Sequence, residues 1–299
     1  MTMIVHSQCP VCDSRDIYFD LEARDHTVSR ETFPVFACRE CTARFTNHVP
    51  EEKDISAYYR SADYISHSET TRGLVNRIYH RVRKITLEQK RKLVAVQSGR
   101  DKGTILDLGC GTGAFLQVMQ DAGWTVKGLE PDAGARKIAE GRGVDVSGTD
   151  HFFNLPEASF DVITLWHVLE HVHRLHDYFN QFGRILKQDG VLIVAVPNHT
   201  SRDAAHYGAS WAAYDVPRHL YHFSPRSMHV LAEKHGFRML QTKPMWFDSF
   251  YVSLLSESHR SAGMFGMLRA AWQGTLSNLR AARDNAACSS VIYVMRKLI

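Results

Sequence analysis

Residues 105–113 read Ile-Leu-Asp-Leu-Gly-Cys-Gly-Thr-Gly, a short apolar run that breaks into alternating glycines. The run predicts a buried strand ending at Gly109 and a helix beginning near Thr112. Gly109, Gly111 and Gly113 allow a tight turn and let the backbone approach a ligand without intervening side chains. A second apolar strand, residues 125–129, ends in Glu130-Pro131-Asp132. An acid about 20 positions beyond such glycines can accept both hydroxyls of a ribose. Together they predict a nucleotide-type pocket. A dinucleotide fingerprint would place its third glycine at 114, where Ala114 is a permitted variant, so the glycines alone leave that alternative open.

Further along come residues 160–165, the segment Val168-Leu169-Glu170-His171-Val172, and residues 186–194 with an Asp189-Gly190 turn. With the glycine loop and Glu130, these segments resemble the class I S-adenosylmethionine-dependent methyltransferases in order and spacing, over most of residues 103–245. The Leu-Glu-His-Val segment and the Asp-Gly turn argue against a dehydrogenase. The resemblance implies S-adenosylmethionine as cofactor, held by Asp107, Gly109, Cys110, Gly111, Gly113, Glu130, Pro131, Thr149, Asp150, Trp166 and His167. Quinone-precursor O-methyltransferases carry a Glu-x-x-Glu-His trio proposed to hold a divalent metal, but His167 replaces its first acid here and weakens that expectation.

Four of the six cysteines form Cys9-Pro10-Val11-Cys12 and Cys38-Arg39-Glu40-Cys41, two knuckles separated by 25 residues. Two thiolates three apart can share an ion, and a second knuckle completes a tetrahedral zinc site. Four sulfurs leave no open position, so the predicted zinc is structural and holds a segment too short for a core of its own. The loop between the knuckles is acidic and lacks a basic, aromatic run, which argues against nucleic acid as partner. Cys110 and Cys288 read as small buried residues.

The expected fold is α/β, with a Rossmann-like seven-stranded sheet of methyltransferase type and helices on both faces. Its strands are expected near 104–109, 125–130, 144–147, 160–166, 190–196, 237–243 and 289–297. A zinc ribbon over 1–50 and a helical linker over 51–102 should precede the core, 103–299. A helical insertion, 245–287, separates the last two strands and is rich in Met and aromatic residues. It reads as a hairpin packed on the sheet edge or the N-terminal helices, or as an apolar pocket, dimer surface or membrane-surface patch. Residues 58–67 read as a lid or a packed linker.

At 299 residues and net charge +4, the chain shows no apolar run near the roughly 20 residues that cross a bilayer. Nor does its start carry a signal-peptide pattern, so a cytoplasmic enzyme is expected. Positive charge concentrates in Arg72, Arg77, Arg81, Arg83, Lys84, Lys90, Arg91 and Lys92, a solvated helix face or a docking surface for an anionic substrate or carrier.

Methyl transfer from a sulfonium mainly requires alignment of the acceptor, plus a base when the acceptor is a hydroxyl or amine. Candidate bases are His167 and His171, expected with Glu170 on one face of a first helical turn. His219 and His222 are also candidates, in a polar, aromatic loop from Trp211 to Phe223; each could equally brace its segment. The first expectation is methylation of a small-molecule or lipid-like acceptor at oxygen in a bacterial biosynthetic pathway. The alternatives are a sugar C- or N-methyltransferase, and a non-catalytic ribbon protein that senses the cofactor. Oligomeric state and contact with a membrane surface or carrier are left open.

Overall fold

The computed structural model describes residues 2–59, 74–260 and 263–298. Expectations for residues 60–73 and for side chains up to 80, including the lid beyond Tyr59 and the charges of Arg72 and Arg77, lie outside the described residues. The chain opens with β1 (Met3–Ile4), β2 (Ile17–Arg24), β3 (Thr32–Cys38), β4 (Arg44–Thr46) and β5 (Val49–Pro50), and α1 (Leu74–Ser98) leads into the core. There follow β6 (Thr104–Leu108), α2 (Ala114–Asp121), β7 (Thr125–Leu129), α3 (Ala133–Gly141), β8 (Val146–Ser147), β9 (Phe160–Trp166), α4 (Leu175–Ile185) and β10 (Leu186–Pro197). The last part comprises α5 (Arg202–Tyr207), β11 (Tyr221–His222), α6 (Pro225–Lys234), β12 (Phe237–Pro244), α7 (Asp248–Arg260), α8 (Met264–Ala281) and β13 (Ser290–Lys297).

Seven strands form one sheet in the order β12-β13-β10-β9-β6-β7-β8. β13 runs antiparallel to both neighbours and the other pairings are parallel. The order reverses between β6 and β9, which opens a crevice at their carboxyl ends where such sheets take ligands. Both faces are covered, and successive residues alternate between them: Leu106 and Leu165 join one apolar cluster, Ile105 and Val162 the other. Each fully buried Phe or Leu of these layers contributes about 1.5–3 kcal/mol. The expected strands are present with shifted ends. The third shrinks to two residues, and the fifth begins four residues earlier than expected.

The ribbon does not close on itself. Its sheet has the order β11-β4-β3-β2, so the fourth strand comes from residues 221–222, far along the chain. Phe45 pairs with Tyr221 and Arg44 with His222. The insertion is a helical hairpin, as expected, but α7 and α8 pack on each other, on α5 and on the short turns spanning Gly208–Tyr214. That corrects the expectation of the sheet edge or the N-terminal helices. Among the described helices none is long and apolar enough to cross a membrane.

Candidate functional site

The turn after β6 needs its glycines for two distinct reasons. Gly109, Gly111 and Gly113 all take left-handed φ, 69°, 54° and 73°, which L side chains rarely adopt. A Cβ on Gly109 would also collide with Val168, and one on Gly113 would meet Ala139 Cβ at 2.8 Å. Glu130, at the end of β7, ties this loop together. Its Oε2 accepts the Gly111 N–H at 2.8 Å and its Oε1 the Asp132 N–H at 3.0 Å. Asp132 then caps α3 by accepting the Ala135 N–H at 2.7 Å. A buried carboxylate with lone pairs to spare, beside an open left-handed glycine, fits the ribose of an adenosine. Pro131 follows in the same turn and Cys110 lies buried against Gly128.

Asp107 lies under this loop and accepts the Thr164 hydroxyl at 2.6 Å. Burial pushes its carboxyl up to about 7. Thr149 begins a short helical turn after β8, and Asp150 beside it is 81% exposed. Trp166, at the end of β9, packs edge-on against Phe115, and its buried indole N–H meets no acceptor among the described residues. Lys90 of α1 sits 4.1 Å over the Trp166 ring. Burial lowers the Lys90 pKa to about 8 against the opposing pull of Asp107 and Asp248.

The segment after β9 departs from expectation. His167 has φ 59°, so no helical turn starts there; a single short turn spans Leu169–His171, and α4 begins only at Leu175. His167 lies between two carboxylates, with Nε2 2.8 Å from Asp248 Oδ2 and Nδ1 3.3 Å from Glu170 Oε1. Burial alone would depress its pKa, but the two acids hold it up at about 10. A base must begin unprotonated, so the geometry does not fit His167 to that role; it is a charged link between β9 and the start of α7.

The other three histidines divide. His222 is 3% exposed and its Nε2 lies 3.1 Å from Thr46 Oγ1, whose own proton goes to the His219 carbonyl at 2.7 Å. That hydroxyl has only lone pairs left, so the His222 Nε2 carries the proton and donates it. The ring meets Tyr214 edge-on, and burial together with His219 holds its pKa well below the usual value. His171 Nδ1 lies 3.1 Å from the Arg218 carbonyl and 3.0 Å from the Tyr59 hydroxyl. His219 Nδ1 lies 2.8 Å from the Ala213 carbonyl. A carbonyl only accepts, so each Nδ1 donates to it, and burial holds the His171 pKa down at about 4, which leaves its Nε2 a lone pair. The two rings stand 4.6 Å apart. Ligand atoms of Glu170, His171 and His219 lie within 4.8 Å of one another, and Glu170 Oε2 is buried without a partner among the described residues.

Behind these histidines sits an ion cluster that the sequence did not announce. Arg218, 1% exposed, donates to Asp215 Oδ1 at 2.5 Å and Oδ2 at 3.0 Å, to Asp25 Oδ1 at 3.0 Å and to the Tyr58 carbonyl at 2.8 Å. Asp25 also accepts the N–H groups of Thr27, Val28 and Ser29. Burial would raise the Asp25 carboxyl, yet these donors bring it down to about 2. Asp248 was missed too. The available signal was an acid at the start of an otherwise apolar and aromatic stretch, Met245 to Leu255.

In the ribbon, Cys9, Cys12, Cys38 and Cys41 converge as expected, with Sγ–Sγ distances of 3.6 Å for Cys9–Cys41 and for Cys12–Cys38. A tetrahedron with bonds of about 2.3 Å places its sulfurs about 3.8 Å apart, so the donor set fits zinc.

A cavity of about 460 Å³ opens beside the His167–Asp248 link. Its walls come from α1 with Lys90, Lys92 and Leu93, from the end of β12 with Lys243, and from Met245, Trp246 and Phe247.

A doubly wound sheet with a glycine loop and a ribose-type acid defines a nucleotide-cofactor protein. The chain belongs to the methyltransferase domain family, whose sequence profile matches residues 79–242, more than half of its length. It is 30% identical over 129 residues to a ubiquinone biosynthesis O-methyltransferase of Maricaulis maris, covering 40% of this chain and 51% of that protein. It is 27% identical over 132 residues to a demethylmenaquinone methyltransferase of Tropheryma whipplei, covering 42% and 54%. The chain thus spans about half the length of these curated relatives. A geranyl diphosphate C-methyltransferase of Streptomyces coelicolor shares the fold, with TM-score 0.50, 17% identity and coverage of 78% of this chain and 87% of that one.

Proposed function

We propose that this protein transfers the methyl group of S-adenosylmethionine to a hydroxyl of a small, amphipathic acceptor. The cofactor would supply an electrophilic sulfonium methyl. Gly109, Gly111 and Glu130 would hold its adenosine, with Asp107 and Trp166 nearby. The acceptor would enter the cavity of about 460 Å³, where Trp246 and Phe247 offer apolar contact and Lys90 and Lys243 offer charge to an anionic end. That cavity carries the reading, because its combination of aromatic wall and lysines selects for an apolar body with an acidic or phenolic head. Two of the relatives are named as ubiquinone biosynthesis O-methyltransferases, which supports oxygen as the accepting atom.

Of the four histidines, His171 is assigned the base. Its Nδ1 proton is fixed by the Arg218 carbonyl, which leaves the Nε2 lone pair for the acceptor proton, and it is less buried than His219 or His222. His219 and His222 brace the loop, and His167 orients Glu170 and Asp248. The zinc assigned to the four cysteines is structural. A second reading of the same centre rests on Glu170 Oε2, which has no partner among the described residues: with the His171 and His219 rings it would hold a divalent cation that binds the acceptor oxygen. Overnight dialysis against a chelator separates the two. Turnover that returns only with added magnesium or manganese favours the cation, and turnover that persists favours the free base.

The reading is tested by incubating the protein with S-adenosylmethionine and a panel of catechols and phenols, with and without apolar tails, and measuring release of the demethylated cofactor. Turnover that rises with tail length is expected. Methylation of nucleotide sugars alone would replace it with the sugar reading, and cofactor binding without turnover on any acceptor would favour a sensor.

A further inference from the structure

The α7–α8 hairpin is built inside out. Soluble helices turn their large apolar side chains inward. Here the buried faces carry small residues, Ser249, Ser253 and Ser256 on α7 and Ala270, Ser277 and Ala281 on α8, with Ser256 accepting the Ala212 N–H and Ser277 donating to Asp203 of α5. The helices approach so closely that a Cβ on Gly274 would meet Phe250 Cα at 3.1 Å. Small contacts between helices are the packing used where lipid surrounds them. The large residues of α8 point outward in one stripe: Phe265, Leu268, Trp272 and Leu279 are 60–78% exposed. Leu254 of α7 adds to it, and Trp246 and Phe247 continue the apolar surface into the cavity.

Charge decides what covers this face. Between Met245 and Arg283 the only carboxylates are Asp248 and Glu257, and they are tied to His167 and to Arg269. The cations outside those pairs are Arg260, Arg280 and Arg283, against one further carboxylate of the insertion, Asp284. A second copy packed across a two-fold axis would bring like charges together. A bilayer surface with acidic headgroups would pair with them and take up the aromatic stripe. We propose that the outer face of α7–α8 docks in the plane of an anionic lipid surface. This goes beyond the methyl-transfer reading and does not rest on it.

The test is co-sedimentation of the full chain with vesicles of phosphatidylcholine alone or mixed with phosphatidylglycerol, for the wild type, for Phe265→Ser/Leu268→Ser/Trp272→Ser, and for Arg280→Glu/Arg283→Glu. The wild type should partition onto the acidic vesicles, less so at high salt. The triple variant should bind at least about tenfold more weakly, and the charge reversal should lose the preference for acidic lipid. Thermal midpoint and affinity for the demethylated cofactor should be unchanged in both. Absence of wild-type partition, or partition unaffected by either variant, overturns the proposal. So does a dimer, seen by sedimentation velocity, that the triple variant dissolves while vesicle binding is absent. Loss of vesicle binding with methyl transfer intact leaves the proposed function untouched.

Discussion

The cofactor side and the acceptor side of this protein are built by opposite strategies. The cofactor loop is local: strand, glycines and acid lie within residues 104–132, and each contact joins neighbours in sequence or adjacent strands. The acceptor side is assembled from afar. Asp25 and Thr46 of the ribbon hold Arg218 and His222, 193 and 176 positions away, and Asp248 reaches His167 across 81. A local loop tolerates disturbance elsewhere, whereas an assembled site fails when any contributing segment comes loose.

The largest expected effect falls on the acceptor side. Replacing His171 with Ala should lower turnover by about 10² to 10⁴, the usual scale for a lost base, with cofactor affinity unchanged. The matching His222→Ala change should cost turnover far less and stability more. Equal turnover losses in the two variants would erase the distinction between base and brace.

Next comes the ion cluster. Arg218→Ala leaves the buried Asp25 and the half-buried Asp215 without their cation, a loss of about 3–5 kcal/mol in stability for a pair of this kind. Denaturant unfolding should show that loss at the ribbon and the 211–223 loop first. A cooperative loss that equally exposes the glycine loop would show that the two sides are a single unit.

Glu130→Ala probes the other side. Each charge-assisted bond to the ribose is worth about 1.5–3 kcal/mol, so cofactor affinity should fall by about tenfold or more while the ribbon keeps its metal. Unchanged affinity by calorimetry would remove Glu130 from the site.

The smallest effect is the response to pH, and its sign should differ between the two sides. Burial holds His199, whose Nε2 bonds the Thr42 carbonyl of the ribbon, down at about 4. Unfolded imidazole titrates near 6.5, so this contribution is fully present above about pH 6.5 and lost as pH falls toward 4. Asp107 is the reverse: burial raises it to about 7, so its contribution is present below about pH 4 and lost as pH rises through 7. Acidification should therefore expose the ribbon seam, read by the fluorescence of buried Trp211, before it disturbs the glycine loop. Simultaneous loss of both would contradict the difference.

Legibility followed the same division. The strand positions, the glycine turn with the acid that follows it, and the four cysteines could be read because each depends on residues close in sequence or on a spacing chemistry dictates. His167 could not, because its charge is set by Asp248, which no local pattern connects to it. His222 looked like a free base because nothing in its own segment reveals that Thr46 occupies its Nε2. The orientation of the hairpin was hidden for a related reason: Phe265, Leu268 and Trp272 have helical spacing whether the stripe faces inward or out. Only the small residues on the opposite face, read as a set, would have indicated the direction.

The central claim is that the ribbon holds the acceptor side in place while the cofactor loop stands alone. Hydrogen exchange by mass spectrometry, before and after zinc is stripped with a chelator, tests it most directly. Protection of the segment 211–223 should collapse together with that of 9–46, while 105–130 stays protected and still gains protection on adding the demethylated cofactor. Protection of 211–223 unchanged by loss of the metal, or loss of protection at 105–130 along with the ribbon, would contradict it.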